Sequence, residues 1–373
     1  MQTADVLIVG GGPAGSACAW KLVRAGLDVI VLDGAVFPRD KVCAGWITPQ
    51  VVADLQLDVE EYRHGRTFQP ITGFRTGIID ADRAVEIDYG RAVSFGIRRC
   101  EFDHYLLRRS NARLHCGTPV TTIARAGEQW IVNGQFRAPM LVGAGGHFCP
   151  VARRLRPAAR NRPVVAALEA EFAVDSALAP SINVAAEAPE LYFCRDLDGY
   201  GWCFRKEDYF NIGFGRLNGR GLPKGAAHFE EFLRSQHRIP AGWSWRSRGH
   251  AYLVADPLPL TLVDSGVLLA GDAAGLAYAQ SGEGIRPAIE SGLMAAVAIV
   301  EANGRYLSDR LRHYDDGVRE RFGAGFAART LARAIPSRLR RVLGLGLFHV
   351  PSFVRHVVLD RWFLHSTEAE LFC

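Results

Sequence analysis

The chain has no uninterrupted apolar run approaching the roughly 18 to 20 residues that a membrane-spanning helix needs, so membrane-embedded function classes are not expected. Met1 leads directly toward the apolar Val6-Leu7-Ile8-Val9 without the basic n-region or small-residue cleavage site of a signal peptide. The expectation is a cytoplasmic protein, with contact at the membrane face left open. The eight cysteines (18, 43, 100, 116, 149, 194, 203 and 373) show no CxxC spacing. That scatter points to free thiols in a reducing compartment and away from a disulfide framework or a zinc site. Eleven histidines form no HExxH or similar pattern, so no metal centre is expected. Strong charge is also missing. A formal net charge of +5 permits an anionic partner such as a phospholipid surface, but more simply provides solubility, and no nucleic-acid partner is expected. Internal repeats and low-complexity linkers are absent as well.

What the chain does have is length and ordinary globular composition. Its 373 residues, 49% hydrophobic and 22% charged, suffice for a large core or for two lobes around one cofactor. Asp5–Val9 reads as a buried parallel strand, Pro13–Ala25 as a helix and Asp28–Leu32 as a second strand, a βαβ start. Residues 41–97 look like a β-rich excursion. Glu101–Ser110 reads as a helix, Pro139–Gly143 as another buried strand, and Val164–Phe172 and Phe210–Phe214 as strands of a separate sheet. The strand at Val267–Ala270 is followed by a long apolar helix near Ala288–Val300, and the chain beyond 305 is helical and arginine-rich. The expected fold class is α/β. It comprises a discontinuous Rossmann-like cofactor domain (1–70, 98–160 and 255–304), an inserted β-sheet substrate domain (71–97 and 161–254) and a helical C-terminal region (305–373).

Two glycine signatures carry chemistry. The first, Gly10-Gly11-Gly12-Pro13-Ala14-Gly15, is a GxGxxG between a strand and a helix. Gly10 permits the tight turn, Gly12 lets backbone approach a pyrophosphate, and Gly15 lets helix pack on strand. The helix N-terminus offers free N–H groups and about half a positive charge to phosphates. Asp33 ends the second strand where an acid accepts ribose hydroxyls; a strand cap beside a structural turn would read the same way. Alone, this unit holds NAD as readily as FAD. The second signature is Val267–Ile285, VLLAGDAAGLAYAQSGEGI. There, Asp272 beside Gly271 can receive ribityl or ribose hydroxyls, and the backbone of Gly282, Gly284 and Ile285 can approach a flat isoalloxazine edge. Together they favour FAD.

Over about residues 3 to 300 the sequence resembles the geranylgeranyl reductase family, flavoproteins that share the aromatic-hydroxylase fold. The resemblance rests first on GDAAG with the following GEGI, and Gly275 stands where hydroxylases usually carry histidine. Arg39-Asp40-Lys41-Val42-Cys43-Ala44-Gly45 is similar to the family's basic, cysteine-containing turn beside the flavin. Tyr200-Gly201-Trp202-Cys203-Phe204 with Gly213-Phe214-Gly215 matches its YxWxF…GxG signature. Arg99-Cys100-Glu101-Phe102-Asp103 matches an RxxFD whose arginine lies near FAD. A strand holding Thr118-Pro119-Val120 is where the adenine-contacting backbone falls. The chain departs from the pattern at Ala44-Gly45-Trp46, where the family has Cys-Gly-Gly, at Ala279 in place of a proline, and at Gly145-Gly146 in place of an acidic-Gly pair.

The resemblance implies a reductase that saturates carbon–carbon double bonds of an apolar, isoprenoid-like substrate with hydride from reduced flavin. Cys43, its thiolate favoured by Lys41 and Arg39, is a candidate proton donor; a small residue packed beside the ring fits equally well. Trp46, Tyr200, Trp202 and Phe204 form the candidate substrate pocket, the last three alternating on one strand face. Lys41 and Arg99 suit phosphate or the N1 side of the flavin. With no second Rossmann fingerprint, the electron donor is NADPH bound transiently or a redox protein. A flavin monooxygenase or halogenase, a quinone-linked dehydrogenase and a non-catalytic flavin carrier are the competing readings. In the C-terminal segment, bulky apolar residues mix with Arg338, Arg340, Arg341, Arg355 and Arg361. A peripheral membrane helix and a helix docked on the protein's own core both fit that pattern.

Overall fold

The computed structural model describes residues 1–156, 164–243, 245–253, 261–278, 280–323 and 345–371. Its first layer is a six-stranded sheet in the order Val263–Asp264, Val267–Leu269, Met140–Gly143, Val6–Val9, Val29–Asp33 and Arg113–Cys116. All neighbours are parallel except the first pair. Both faces are covered, which explains strands written as continuous apolar runs. Val6, Leu7 and Ile8 are fully buried, and each such side chain stabilises the fold by about 1.5–3 kcal/mol.

Helix Pro13–Arg24 follows the first strand with proline in its first turn and no acidic residue there. Its leading N–H groups therefore stay available to an anion. Lys21 and Arg24 close the other end, where the dipole favours cations. The helix crosses Ile285–Glu301 so closely that a Cβ on Gly292 would stand 2.2 Å from the Ala14 carbonyl oxygen. Thus the two glycine signatures, over 250 residues apart, are packed against each other.

A seven-stranded sheet faces this layer. Its order is Arg248–Leu253, Val164–Ala173, Tyr209–Leu217, Gly199–Lys206, Glu190–Phe193, Gly73–Ile78 and Ala84–Asp88. Strands from the 73–88 stretch thus complete a sheet built mainly from residues 164–253. A small three-stranded sheet of Trp46–Ile47, Ser94–Gly96 and Gln69–Ile71 lies beside them. The 41–97 stretch is less purely β than its composition suggests, since it also forms helices Pro49–Asp54 and Val59–Arg63. One expected strand is a loop. Arg113–Cys116 ends before Thr118-Pro119-Val120, where Pro119 has no N–H to continue a ladder. The Thr118 N–H instead donates to the Asp33 carbonyl at 2.8 Å.

Helix Ser308–Gly323 buries Leu311, Tyr314, Val318 and Phe322. Arg338, Arg340 and Arg341 lie outside the described residues. Further on, Val354–Phe363 winds as a π-helix and buries Val354, Val358, Leu359 and Phe363. Phe363 packs 5.9 Å from Trp46 and 5.5 Å from Tyr200. Arg355 stacks 4.8 Å over Tyr89 while Arg361 stays exposed. This stretch therefore docks on the protein's own core with its arginines at the rim. Among the described residues, no helix is long and apolar enough to cross a membrane.

Candidate active site

A cavity of about 1580 Å³, open mouth included, runs along the carboxyl ends of the parallel strands and under the second sheet. Gly10, Gly12, Pro13, Ala14 and Asp33 line one end. Gly10 has φ +114°, and a Cβ there would stand 2.3 Å from the Ala144 carbonyl oxygen. Only glycine closes that turn. Gly15 and Gly271 sit behind the wall and act through packing. A Cβ on Gly15 would meet the Gly10 carbonyl oxygen at 1.9 Å, and Gly271 is pressed against Ala14 and Ala288. The Asp33 carboxylate is fixed by the Gly11 N–H at 2.7 Å and the Ala35 N–H at 2.8 Å.

Cations crowd the middle of the cavity. Arg99 donates twice to Asp103, both at 2.8 Å, and Arg39 reaches the same buried carboxylate at 3.1 Å. Lys41 Nζ lies 2.5 Å from His250 Nε2. Burial lowers the Lys41 pKa to about 8 against the opposing pull of Asp272, with Arg99 and Arg39 adding to the fall. Burial, then Lys41, drives His250 down to about 3. The shared proton therefore sits on lysine, and His250 accepts.

At the far end, Cys43, Ala44, Gly45, Trp46, Tyr200 and Trp202 share the wall with Gly282, Gly284 and Ile285. Tyr200 donates its hydroxyl proton to the Ser281 carbonyl. Trp202 donates Nε1–H to Asn211 Oδ1 at 2.7 Å. The Asn211 amide donates to Glu169 at 2.6 Å and to the Cys43 carbonyl at 3.2 Å. Burial raises the Glu169 pKa to about 7, although Lys206 pulls it down. The structure does not bring Phe204 or Val120 to the cavity wall. Phe204 shares a strand face with Tyr200 and Trp202 but lies further along, edge-on to Trp46 at 6.0 Å. It supports the wall from behind. Val120 is half-buried in the loop after Arg113–Cys116, packed against the parallel-sheet core.

Four residues in or beside the cavity escaped sequence reasoning: His147, His250 and Tyr252 on its wall, and Asn211 behind Cys43. His250 and Tyr252 alternate on Arg248–Leu253, a strand with no motif. The available signal was two polar aromatics two residues apart, which must share a face.

The cavity has a glycine-lined helix N-terminus and a fixed acid at one end, and a flat apolar slot against glycine backbone at the other. These residues fit FAD in an extended pose. Asp33 and the Gly10–Pro13 turn would hold the adenosine and pyrophosphate, Asp272 the ribityl chain, and Gly282–Ile285 the ring edge. A two-lobed flavoprotein is the class that this fold and cavity define. Residues 5–86 match the FAD-dependent oxidoreductase family described as DAO. The chain is 31% identical to a menaquinone reductase of Mycolicibacterium smegmatis, over 88% of this chain and 84% of that protein. It is 30% identical to a geranylgeranyl diphosphate reductase of Rhodobacter capsulatus, over 79% of this chain and 74% of the relative. A geranylgeranyl bacteriochlorophyll reductase-like structure from Thermoplasma acidophilum superposes with a TM-score of 0.78 at 20% identity, covering 97% of both chains. The chain belongs to the geranylgeranyl reductase family of FAD-dependent oxidoreductases.

Proposed function

We propose that the protein saturates carbon–carbon double bonds of an isoprenoid substrate. The observation that carries this reading is that Trp46, Tyr200 and Trp202 line one cavity together with the Gly282–Ile285 backbone. It is an apolar slot suited to a flexible hydrocarbon chain laid against a flat ring. Bound FAD, once reduced, supplies the hydride. The chain's own residues orient the alkene, keep water from it and provide a proton. Trp202 is held in place through Asn211, and Tyr200 through Ser281, so the slot is built before the substrate arrives.

The menaquinone reductase relatives support a second reading, in which the quinone ring itself is the reacting group. The electron donor in either case is NADPH binding transiently or a redox protein. Substrates of both kinds reside in bilayers, which suits peripheral contact at the cytoplasmic face. Phe148, which lines the cavity and is 64% exposed, supports such contact.

The test is anaerobic. The FAD-loaded protein is reduced, prenyl lipids, prenylated quinones and aromatic acids are added, and flavin reoxidation and products are followed. Reoxidation by a prenyl alkene with gain of two hydrogens supports the reading. Reoxidation by the quinone ring alone supports the second. Hydroxylated aromatic product with oxygen, and no response to alkenes, overturns both.

A further inference from the structure

Saturating an alkene needs a proton as well as a hydride, and most proton-bearing groups around the reacting end already have partners. Tyr200 donates to the Ser281 carbonyl, and Trp202 to Asn211. His250 is bound to Lys41. Glu283 caps helix Ile285–Glu301 by accepting the Arg286 N–H at 2.7 Å through Oε1. The Cys43 thiol lies against the Arg99 guanidinium.

Tyr252 differs. It lines the cavity, and among the described residues its hydroxyl has no hydrogen-bond partner. The hydroxyl sits against Gly282, and both residues line the cavity. Its position is also fixed. A Cβ on Gly282 would stand 2.1 Å from this hydroxyl oxygen, so the phenol rests on the glycine loop that would border the flavin ring.

We propose that the Tyr252 hydroxyl is the proton donor of the reduction, an inference that rests on the alkene-reductase reading above. The balance is as follows. The alkene π bond breaks, and one carbon gains a C–H bond from the hydride, which brings both electrons from reduced FAD. The other carbon gains a C–H bond as the Tyr252 O–H bond breaks. The resulting phenolate takes a proton from water through the open mouth, restoring the phenol. Hydride addition leaves carbanion character on the second carbon, so an acid as weak as a phenol suffices. Burial holds the phenol well above its ordinary pKa, with Tyr200, Cys43 and Asp272 adding to the rise, and keeps it protonated before substrate arrives. His250, paired with Lys41, is two residues away on the same strand face, its ring 6.3 Å from that of Tyr252.

The test uses FAD-loaded full-length protein with the prenyl alkene that reoxidises the wild type, and the variants Tyr252→Phe, Glu283→Gln and Cys43→Ser. Removing a general acid lowers the rate by about 100-fold or more. Tyr252→Phe is expected to bind FAD and alkene within about twofold of wild type and to be reduced by dithionite normally, yet to lose about 100-fold in reoxidation by alkene. A binding readout is independent of turnover. A prenyl ketone, with a carbonyl oxygen in place of the reacting carbon's proton, is expected to bind wild type about tenfold more tightly than the matching hydrocarbon, as one added hydrogen bond allows. Tyr252→Phe should erase that preference. Reoxidation of Tyr252→Phe within threefold of wild type overturns the inference, as does a comparable loss in Glu283→Gln or Cys43→Ser alone. If no alkene reoxidises the wild type, the reductase reading itself fails, whatever the ketone shows.

Discussion

Lys41 Nζ and His250 Nε2, 209 residues apart in sequence, meet at 2.5 Å in the middle of the cofactor cavity. The pair joins the basic Arg39–Gly45 turn to the edge strand Arg248–Leu253 of the seven-stranded sheet. Both groups are less basic than in an unfolded chain. Lys41 falls from 10.5 to about 8 and His250 from 6.5 to about 3. The folded state therefore binds fewer protons than the unfolded state between pH 3 and 6.5 and again between 8 and 10.5. In both windows stability rises with pH. The His250 contribution is fully present above pH 6.5 and is lost as pH falls toward 3. Urea denaturation midpoints across pH 4 to 7 are expected to drop less steeply in His250→Gln than in wild type. Parallel profiles would show that the histidine is not held neutral.

Asn211 is the polar pin between the seven-stranded sheet and the Cys43 turn. Asn211→Leu leaves the Trp202 indole N–H, the Glu169 carboxyl and the Cys43 carbonyl without this partner. Buried groups abandoned in this way cost about 1–3 kcal/mol each. Because Glu169 and the Cys43 peptide can relax toward other partners, a total loss of about 2–4 kcal/mol is expected. Denaturant unfolding measures it. An activity loss should accompany it as a raised KM, since the Trp202 wall would no longer be fixed.

Gly15 of the glycine turn and Gly34 after the Val29–Asp33 strand offer a sharper contrast between two glycine substitutions. Gly15→Ala places a methyl 1.9 Å from the Gly10 carbonyl oxygen, whereas Gly34→Ala meets Pro119 at an ordinary 3.6 Å. Gly15→Ala is expected to purify with less than a tenth of the wild-type FAD content and to melt earlier. Gly34→Ala should keep its flavin. Absorbance of the bound flavin against protein concentration decides the matter.

The parts of the fold legible in sequence were those where one local physical requirement dictates residue type. Gly10 must adopt positive φ, Gly15 must admit a helix against a strand, and Val6–Val9 must be apolar on both faces. Tyr200 and Trp202 could be placed on one face by simple alternation. Phe204 obeys the same alternation yet misses the cavity, because the strand runs past the end of the slot and Trp46 intervenes. Val120 was assigned to a strand that Pro119 ends early. His250, Tyr252 and Asn211 were not legible because their roles depend on which strands become neighbours. The pairing of Arg248–Leu253 with Val164–Ala173, and of that strand with Tyr209–Leu217, is set by long-range register that no local pattern encodes.

The C-terminal segment latches the loop that would border the flavin. The His365 ring stacks on Tyr278 at 3.6 Å. Glu368 accepts from the Tyr278 hydroxyl at 2.9 Å, pairs with His365 at 2.9 Å and lies 3.6 Å from Arg286. Tyr278 in turn closes the loop through backbone bonds with Gly282 and Glu283. Behind them, the buried Glu290 is shared by Arg286 and Arg321, so the latch rests on a compensated ionic cluster. Glu368→Ala removes the polar half of the latch and leaves Phe363 and its apolar neighbours docked. The expected outcome is a modest change in global stability, below about 1.5 kcal/mol for a partly exposed carboxylate. FAD dissociation should quicken several-fold, because the loop is freed to open locally. Hydrogen exchange at Tyr278 and across residues 280–284 should rise in the variant while exchange in Val6–Val9 stays unchanged. Equal protection of the loop in both proteins would show that the C-terminal segment packs beside the loop without holding it.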